Sequence, residues 1–258
     1  MKTGSPSSNV EWKAWAKRDP LFAVATCPDK DKDGATPWSD DEFYALGESD
    51  WDDFHTRWGH HGLKHESCVE IGCGAGRITK HLCKVFKTVH AFDISEDMLN
   101  YAQRNLTEEN VRFQVSNGSD LHLAESSVSA VFSCHVFQHF DSLSVGRRYF
   151  EEIHRVLCEG GTLMIHLPIY CWPYESVPFE VLYRTRKGID DFKASVNRKL
   201  IAAGIFRPLM RRLTYPVPWL YAELPKIGFA DVEISFVTTT STHAPHPFVF
   251  ARKPVKVK

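Results

Sequence analysis

The sequence lacks long apolar runs and has no excess of charge of either sign. No stretch of about 18 consecutive apolar residues occurs, so no membrane-spanning helix is expected. The polar residues 1–10 lack the apolar core of a secretory signal. With 31 Lys and Arg against 32 Asp and Glu, the net charge is −1, which gives the whole chain no attraction to nucleic acid.

The cysteines do not form an even set that could all pair with one another. There are seven, mostly in apolar or glycine-rich contexts, which is typical of buried free thiols in a reducing compartment. We therefore expect a cytoplasmic protein. The 258 residues are 43% hydrophobic and 24% charged, which indicates a globular chain large enough to bury one substantial core.

Short apolar runs alternate with amphipathic stretches from Ser67 to Met164, and this pattern predicts β-α-β units around a parallel sheet. The predicted strands are Cys68–Ile71, Val85–Phe92, Val111–Val115, Ala130–Cys134 and Gly161–His166, followed by a final pair at Val232–Val237 and Pro247–Ala251. The predicted helices are Arg77–Lys84, Glu96–Leu106 and Tyr149–Leu157. Because the carboxyl ends of parallel strands share one edge, we expect the ligand site there.

Two less regular regions flank this block. Residues 1–65 carry five tryptophans among acidic residues, which predicts a helical N-terminal arm that lies partly over the ligand edge. Residues 66–258 form the second and larger domain. Within it, residues 168–222, rich in Pro, Tyr, Trp and Arg, are predicted to form a helical cap insertion before the last two strands.

The most specific local pattern is Val-Glu-Ile-Gly-Cys-Gly-Ala-Gly-Arg at residues 69–77, in which a buried strand turns through alternate glycines into a helix. Glycine permits the tight turn and the close approach of a ligand. A dinucleotide fingerprint would place its third glycine at Arg77, so the offset disfavours NAD. Asp93 closes the second apolar run, where it can accept both hydroxyls of an unphosphorylated ribose.

With these motifs in this order, the sequence resembles the class I S-adenosylmethionine-dependent methyltransferases, in particular the broad type 11 group. The resemblance implies an α/β fold with a Rossmann-like, doubly wound, mostly parallel seven-stranded sheet, and S-adenosylmethionine as cofactor. Glu70 would orient the cofactor's ammonium, Asp93 would hold the ribose and Ile94 would contact the adenine. The implied cofactor-binding residues are Glu70, Gly72, Cys73, Gly74, Gly76, Asp93, Ile94, Asn117, Gly118, Ser133 and Cys134. Asn117 stands where many members carry Asp.

The arm also resembles that of bacterial type 11 members, in which it covers the cofactor. This makes Trp38, Phe43 and Tyr44 candidates for the acceptor pocket, although aromatic side chains here could equally dock the arm onto the sheet. Methyl transfer needs positioning, exclusion of water and, for a hydroxyl acceptor, a general base. His139, just beyond the fourth strand, is the first candidate base and His135 the second. Alternatively, Gln138 and His139 hold the loop by bonding backbone groups, and His135 faces the cofactor or the core.

Two acidic or histidine-rich patterns fall short of a metal site. Asp29, Asp31, Asp33, Gly34 and Asp40 have the spacing of a calcium loop, but the final Glu of such a loop is replaced by the shorter Asp40. The histidine-rich segment 55–65 has no recognised zinc spacing. We therefore predict no metal.

The acceptor is predicted from the insertion and from the end of the fourth strand. Residues 184–212 hold nine basic and two acidic residues, a segment that could contact a membrane surface, an acidic partner or RNA, or form a solvated helix face. The fourth strand lacks the Asn/Asp-Pro-Pro-aromatic motif of enzymes that methylate a flipped base, which disfavours DNA. We predict a small-molecule acceptor methylated at oxygen; a protein or RNA acceptor and a catalytically silent cofactor-binding module are the alternatives.

Overall fold

The computed structural model describes residues 7–27, 29–118, 120–170 and 213–256, together with a few positions between 188 and 203. Its helices are α1 (Ser7–Arg18), α2 (Pro20–Val24), α3 (Asp40–Gly59), α4 (Thr79–Val85), α5 (Glu96–Asn105), α6 (Leu143–Val156) and α7 (Val217–Ile227), with a 3-10 turn at Phe137–His139. Its strands are β1 (Ser67–Ile71), β2 (Thr88–Asp93), β3 (Val111–Val115), β4 (Val128–Ser133), β5 (Leu157–His166), β6 (Ile169–Tyr170), β7 (Tyr215–Pro216), β8 (Ala230–Thr238) and β9 (Pro245–Arg252).

Seven of these strands form one sheet in the order β3-β2-β1-β4-β5-β9-β8. All neighbouring pairs from β3 to β5 are parallel, and β9 runs antiparallel to both of its neighbours. The two-residue strands β6 and β7 form a separate pair. The predicted mostly parallel, seven-stranded α/β sheet is confirmed, and its order changes direction between β1 and β4, where a crevice forms at the carboxyl ends of the strands.

Several predicted boundaries are wrong by a few residues. Residue Val85 belongs to the end of α4, because the amide of Phe86 still donates to the carbonyl of Leu82, and β2 starts only at Thr88. The strand predicted from Gly161 begins at Leu157, which pairs with Val128 ahead of a register shift. The helix predicted from Tyr149 begins six residues earlier, where the Ser142 hydroxyl accepts a hydrogen bond from the amide of Val145.

Helices cover both faces of the sheet because successive strand residues point in opposite directions. On one face, Val131 of β4 packs with Phe150 and Ile153 of α6. On the other face, Phe132 of β4 packs with Trp51 and Trp58 of α3 and with Phe248 of β9. Helix α3 thus belongs to the core of the sheet, although it lies within residues 1–65.

The remaining N-terminal helices pack beside the glycine segment. Trp15 of α1, Leu21 of α2 and Phe43 of α3 share a buried cluster with Ala75 and Met98. Asp19 caps α2 by accepting a hydrogen bond from the amide of Phe22 at 3.0 Å. These contacts place α1 and α2 next to the carboxyl ends of β1 and β2.

Two further regions can be compared with their predictions: the acidic loop with the spacing of a calcium loop, and the basic insertion. Asp31 accepts hydrogen bonds from Arg18, an arrangement that joins the loop to α1. Most of the basic segment 184–212 and of the predicted cap lies outside the described residues. Among the helices that are described, none combines the length and the apolar character needed to cross a bilayer.

Candidate active site

A cavity of about 710 Å³ lies at the carboxyl edge of the sheet. A volume of this size is typical of small-molecule sites. Its floor comes from residues that follow four neighbouring strands, and its other walls come from the arm. The floor residues are Gly72, Gly74, Asp93, Ile94, Ser116, Gly118, Cys134 and His135, and the arm residues include Ser8, Asn9, Trp12, Val24 and Trp38.

The glycine segment after β1 turns back under this cavity. Gly72 and Gly74 have φ values of +74° and +54°, a region that side chains with a Cβ rarely adopt. The amides of Gly72 and Cys73 both donate to the carbonyl of Phe92, which joins the loop to β2. A Cβ on Gly72 would lie 2.2 Å from Cγ2 of Val136, so the loop packs directly against the segment after β4.

Asp93, the last residue of β2, is held from both sides by backbone amides. Its Oδ2 accepts from the amide of Gly74 at 2.9 Å and its Oδ1 from the amide of Ser95 at 2.8 Å. Burial raises the pKa of Asp93 to about 6, against the opposing effect of these hydrogen bonds. Each carboxylate oxygen has capacity for a second hydrogen bond, which matches a pair of adjacent ribose hydroxyls.

Two histidines line the opposite side of the cavity, on the segment that follows β4. His139 is 8% exposed, its Nε2 lies 3.0 Å from Nε2 of Gln138, and its ring packs edge-on against Trp12 with centroids 4.7 Å apart. His135 has a φ of +59° and its ring packs against His166. Burial, reinforced by His166, holds the pKa of His135 well below its ordinary value.

The sequence pattern of a known methyltransferase domain matches residues 69–165, the stretch that holds the glycine loop, Asp93 and both histidines. Residues 69–165 therefore carry a match to the methyltransferase domain family. A protein of Dictyostelium discoideum described as a methyltransferase is 29% identical over 129 residues, which cover 50% of this chain and 43% of that protein. Malonyl-[acyl-carrier protein] O-methyltransferase of Priestia megaterium is 31% identical over 98 residues, covering 37% and 34%.

The aligned part of this chain spans less than half the length of each of these two curated relatives. Among solved structures, a methyltransferase of Methanosarcina mazei superposes with a TM-score of 0.55 at 19% identity over 77% of this chain and 98% of that one. An N-methyltransferase of Haemonchus contortus bound to phosphomonomethylethanolamine and S-adenosylhomocysteine gives 0.55 at 16% identity, over 80% and 53%. At these identities the likeness establishes the fold.

Several residues predicted to bind the cofactor lie behind the surface of the cavity. Glu70 is 4% exposed and its Oε2 accepts the hydroxyl of Thr79 at 2.6 Å. Ser133 donates its hydroxyl to the carbonyl of Ile71 at 2.8 Å, which fixes the end of β4 against β1. Cys73 and Gly76 are also buried outside the cavity lining. These residues support the glycine loop from the side that faces away from the cavity.

The residue after β3 that faces the cavity is Ser116, whereas Asn117 points away from it. The Nδ2 of Asn117 donates to Asp120 at 3.0 Å, and its Oδ1 accepts from the amide of Asp120 at the same distance. The Ser116 hydroxyl accepts from the amide of Gly118 at 3.0 Å and lies on the cavity wall with Gly118. Among the residues just after β3, Ser116 and Gly118 therefore line the cavity and Asn117 does not.

The three arm residues predicted to line the acceptor pocket do not all lie on the cavity wall. Trp38 lies on the cavity wall, and its Nε1 donates to the carbonyl of Ala25 at 2.8 Å. Phe43 is fully buried within the arm cluster, and the Tyr44 hydroxyl donates to the carbonyl of Ala75 at 3.0 Å. The placement of Phe43 and Tyr44 corrects the prediction, since both dock α3 onto the glycine segment.

Other residues that line the cavity were not predicted from the sequence. Asp50 of α3 forms a buried ion pair with Arg77, the residue directly after the glycine loop, and Ser241 donates its hydroxyl to the same carboxylate. His246, on β9, also lines the cavity. Nothing local marks Asp50 or His246, because each reaches the site from a distant part of the chain. The alternation of buried and exposed residues in α3 is the one available signal for Asp50.

Replacing Gly72 by alanine is expected to destabilise the fold by more than backbone strain alone. A left-handed alanine costs about 1–2 kcal/mol, and the new methyl would meet Val136 at 2.2 Å. Gly62 has a similar φ of +77°, and a Cβ there would have no atom within 4 Å. Gly62→Ala therefore measures the cost of backbone strain alone. In urea unfolding, Gly72→Ala should lower the free energy of unfolding by at least about 1 kcal/mol more than Gly62→Ala; equal losses would contradict the close approach of the loop.

Replacing Glu70 by glutamine is expected to stabilise the free protein above neutral pH. Burial raises the pKa of Glu70 to about 7 from 4.5. A raised carboxyl pKa means that the folded state holds the proton more tightly, so the wild type loses stability as pH rises from about 4.5 to 7. Over this window the stability of Glu70→Gln relative to the wild type should rise by roughly 2–3 kcal/mol, followed by urea unfolding at a series of pH values. The exposed-site variant Glu96→Gln should show no such rise; a flat difference for Glu70→Gln would contradict the buried, raised carboxyl.

Proposed function

We propose that this protein transfers a methyl group from S-adenosylmethionine to an oxygen atom of a small molecule. One observation carries the proposal: the glycine loop, Asp93, His139 and several aromatic side chains all line a single cavity. The cavity thus offers groups that suit both partners of a methyl transfer. Both partners must lie in one space, because the reaction is an in-line displacement between them.

The glycine loop, Asp93 and Ile94 fit the cofactor. Asp93 presents two oxygens whose positions are fixed by the amides of Gly74 and Ser95, which suits two ribose hydroxyls. The backbone of Gly72 and Gly74 gives room where a Cβ would not fit. Ile94 lies on the wall beside Asp93 and supplies apolar contact for a base. When bound, S-adenosylmethionine supplies an electrophilic methyl group on a sulfonium, whose leaving group needs no acid.

The residues around His139 fit a small acceptor. Trp12, whose ring packs against His139, and Phe140, the next residue along the chain, line the cavity here. Such aromatic walls exclude water and orient a planar or apolar molecule. The relatives named for O-methylation of malonyl-[acyl-carrier protein] support oxygen as the methylated atom. The cavity volume of about 710 Å³ suits the cofactor together with a small acceptor group.

His139 is the proposed general base for a hydroxyl acceptor. Its ring is oriented by Gln138 on one side and by Trp12 on the other, which fixes the imidazole relative to the cavity. His135 is less suited to this role because its ring packs against His166 and His246, with centroids 4.2 and 5.2 Å away. His139 would take the hydroxyl proton as the new carbon–oxygen bond forms.

The experiment is a transfer assay that measures S-adenosylhomocysteine formed from S-adenosylmethionine. The acceptors are a panel of phenols, alcohols and carboxylic acids, compared with total RNA and with a protein extract. We expect acceptor-dependent product with a member of the small-molecule panel. Product with RNA or protein alone would overturn the small-molecule proposal in favour of a macromolecular acceptor. Cofactor binding without product from any of these acceptors would favour a catalytically silent binding module.

A further inference from the structure

A cluster of sulfur and imidazole side chains lies in the wall of the cavity, at the edge away from Asp93. The Sγ of Cys134 and one ring nitrogen each of His135 and His166 all lie within 4.8 Å of one another. A third imidazole, that of His246, has its ring centroid 5.2 Å from that of His135 and 5.6 Å from that of His166. Nitrogen and sulfur ligands gathered in this way are the donor set of zinc-type cations.

Three neighbouring strands build this cluster. Cys134 and His135 directly follow β4, His166 ends β5, and His246 lies near the start of the antiparallel β9. The pairing of Ser133 with Ile165 brings the ends of β4 and β5 side by side. His166 and His246 therefore lie in strands of the sheet, and Cys134 and His135 lie within two residues of the end of β4.

The backbone at His135 is held in a conformation that points its side chain into the cluster. Its φ of +59° is uncommon for a residue with a Cβ and is typical of functional positions. The amide of His135 donates to Nδ1 of His166 at 3.3 Å. Because an amide can only donate, Nδ1 of His166 accepts this hydrogen bond and carries no proton; a cation bound at Nδ1 would take the place of the amide, and a cation bound at Nε2 would displace the proton there. An unprotonated ring nitrogen is the form that a metal ion requires.

We propose that Cys134, His135 and His166 bind one divalent cation of the zinc class, with the fourth coordination position directed into the methyltransferase cavity beside His246. This proposal replaces the earlier expectation of no metal. Zinc bonds of about 2.0–2.3 Å in tetrahedral geometry place neighbouring donor atoms about 3.3–3.6 Å apart. The three donors would close together by about 1 Å, a shift within the reach of side-chain rotation. Binding would release the thiol proton of Cys134 to solvent and leave a thiolate on the cation.

The charges around the site are compatible with a cation. The guanidinium of Arg77, the nearest basic group on the glycine segment, is neutralised by its buried ion pair with Asp50. The bound thiolate would reduce the charge of the cation by one. Three protein ligands with an open position towards a cavity are the pattern of catalytic zinc sites. If the proposed function holds, the open position would bind the acceptor oxygen and lower its pKa.

The experiment titrates the metal-free, full-length protein with Co²⁺, without cofactor or acceptor. We expect one equivalent to bind with a thiolate-to-cobalt charge-transfer band, and Zn²⁺ to displace it. Cys134→Ser should remove that band, and His166→Gln should weaken Co²⁺ binding at least tenfold. Cys158→Ser is the matched thiol control and should keep the band. Circular dichroism of each variant verifies folding, and His166→Gln tests the site independently if Cys134→Ser does not fold.

The exposed pair His55 and His65, whose Nε2 atoms lie 3.3 Å apart, is the competing surface site. His55→Ala should leave the charge-transfer band and the affinity for Co²⁺ unchanged. A wild type without the band, a band that persists in Cys134→Ser, or binding lost only in His55→Ala would overturn the proposal. Since the titration needs neither S-adenosylmethionine nor an acceptor, its failure and the failure of the proposed methyl transfer are distinguishable.

Discussion

Replacing Asp93 by alanine is expected to weaken S-adenosylmethionine binding by more than tenfold. Two ribose hydroxyls donating to a carboxylate contribute about 1.5–3 kcal/mol each, and about 1.4 kcal/mol corresponds to a factor of ten in affinity. The variant also loses the acceptors for the amides of Gly74 and Ser95, which hold the glycine loop to β2. Both effects act in the same direction. Calorimetric titration of the wild type and the variant measures the change.

The control for this prediction is Asp97→Ala, which removes an exposed carboxylate from the first turn of α5. Its affinity for S-adenosylmethionine should stay within about twofold of the wild type. The pH dependence provides a second test. Because burial raises the pKa of Asp93 to about 6, the wild-type affinity should fall as pH decreases through 6, where the carboxylate gains a proton and loses acceptor capacity. Unchanged affinity in Asp93→Ala would contradict the assignment of this residue.

Replacing His139 by alanine is expected to lower the rate of methyl transfer to a hydroxyl acceptor by about 10²–10⁴-fold, the usual contribution of a general base. The loss should appear in kcat, while S-adenosylmethionine affinity stays nearly constant, since His139 lies across the cavity from Asp93. Formation of S-adenosylhomocysteine with a hydroxyl acceptor from the panel gives the rate. Single-turnover kinetics separates the chemical step from product release.

The matched control is His60→Ala, because His60 is exposed at the end of α3 and outside the cavity lining. It should retain the wild-type rate. The nature of the acceptor gives a further distinction, since a carboxylate acceptor has no proton to remove and its transfer should be nearly insensitive to His139→Ala. Full activity of His139→Ala on a hydroxyl acceptor would mean that positioning alone drives the reaction.

Local patterns predicted residues that line one part of the cavity. The glycines at 72 and 74 and the aspartate that ends β2 are all within one β-α-β unit, where short-range geometry is nearly independent of the rest of the fold. The limits of β3 also match the prediction, since turn residues flank that strand on both sides. The position after β3 is predicted less well. Asn117, expected near the adenine, instead uses its side-chain amide in a local turn with Asp120.

Long-range pairing decides the acceptor side, and a single sequence carries little information about it. His166 and His246 are far from Cys134 along the chain, and only the pairing of β4, β5 and β9 brings them together. The arm shows the same limit. Trp38 and Phe43 are both aromatic residues near the start of α3, yet one lines the cavity and the other is fully buried. Composition alone does not distinguish a docking residue from a lining residue.

The most direct test of the central claim is calorimetric titration of the purified protein with S-adenosylmethionine and S-adenosylhomocysteine, with NAD as the control ligand. The cavity, the glycine loop and Asp93 predict saturable one-to-one binding of both sulfur compounds and no binding of NAD. Folded protein that binds neither sulfur compound, or that binds NAD in their place, would contradict the account.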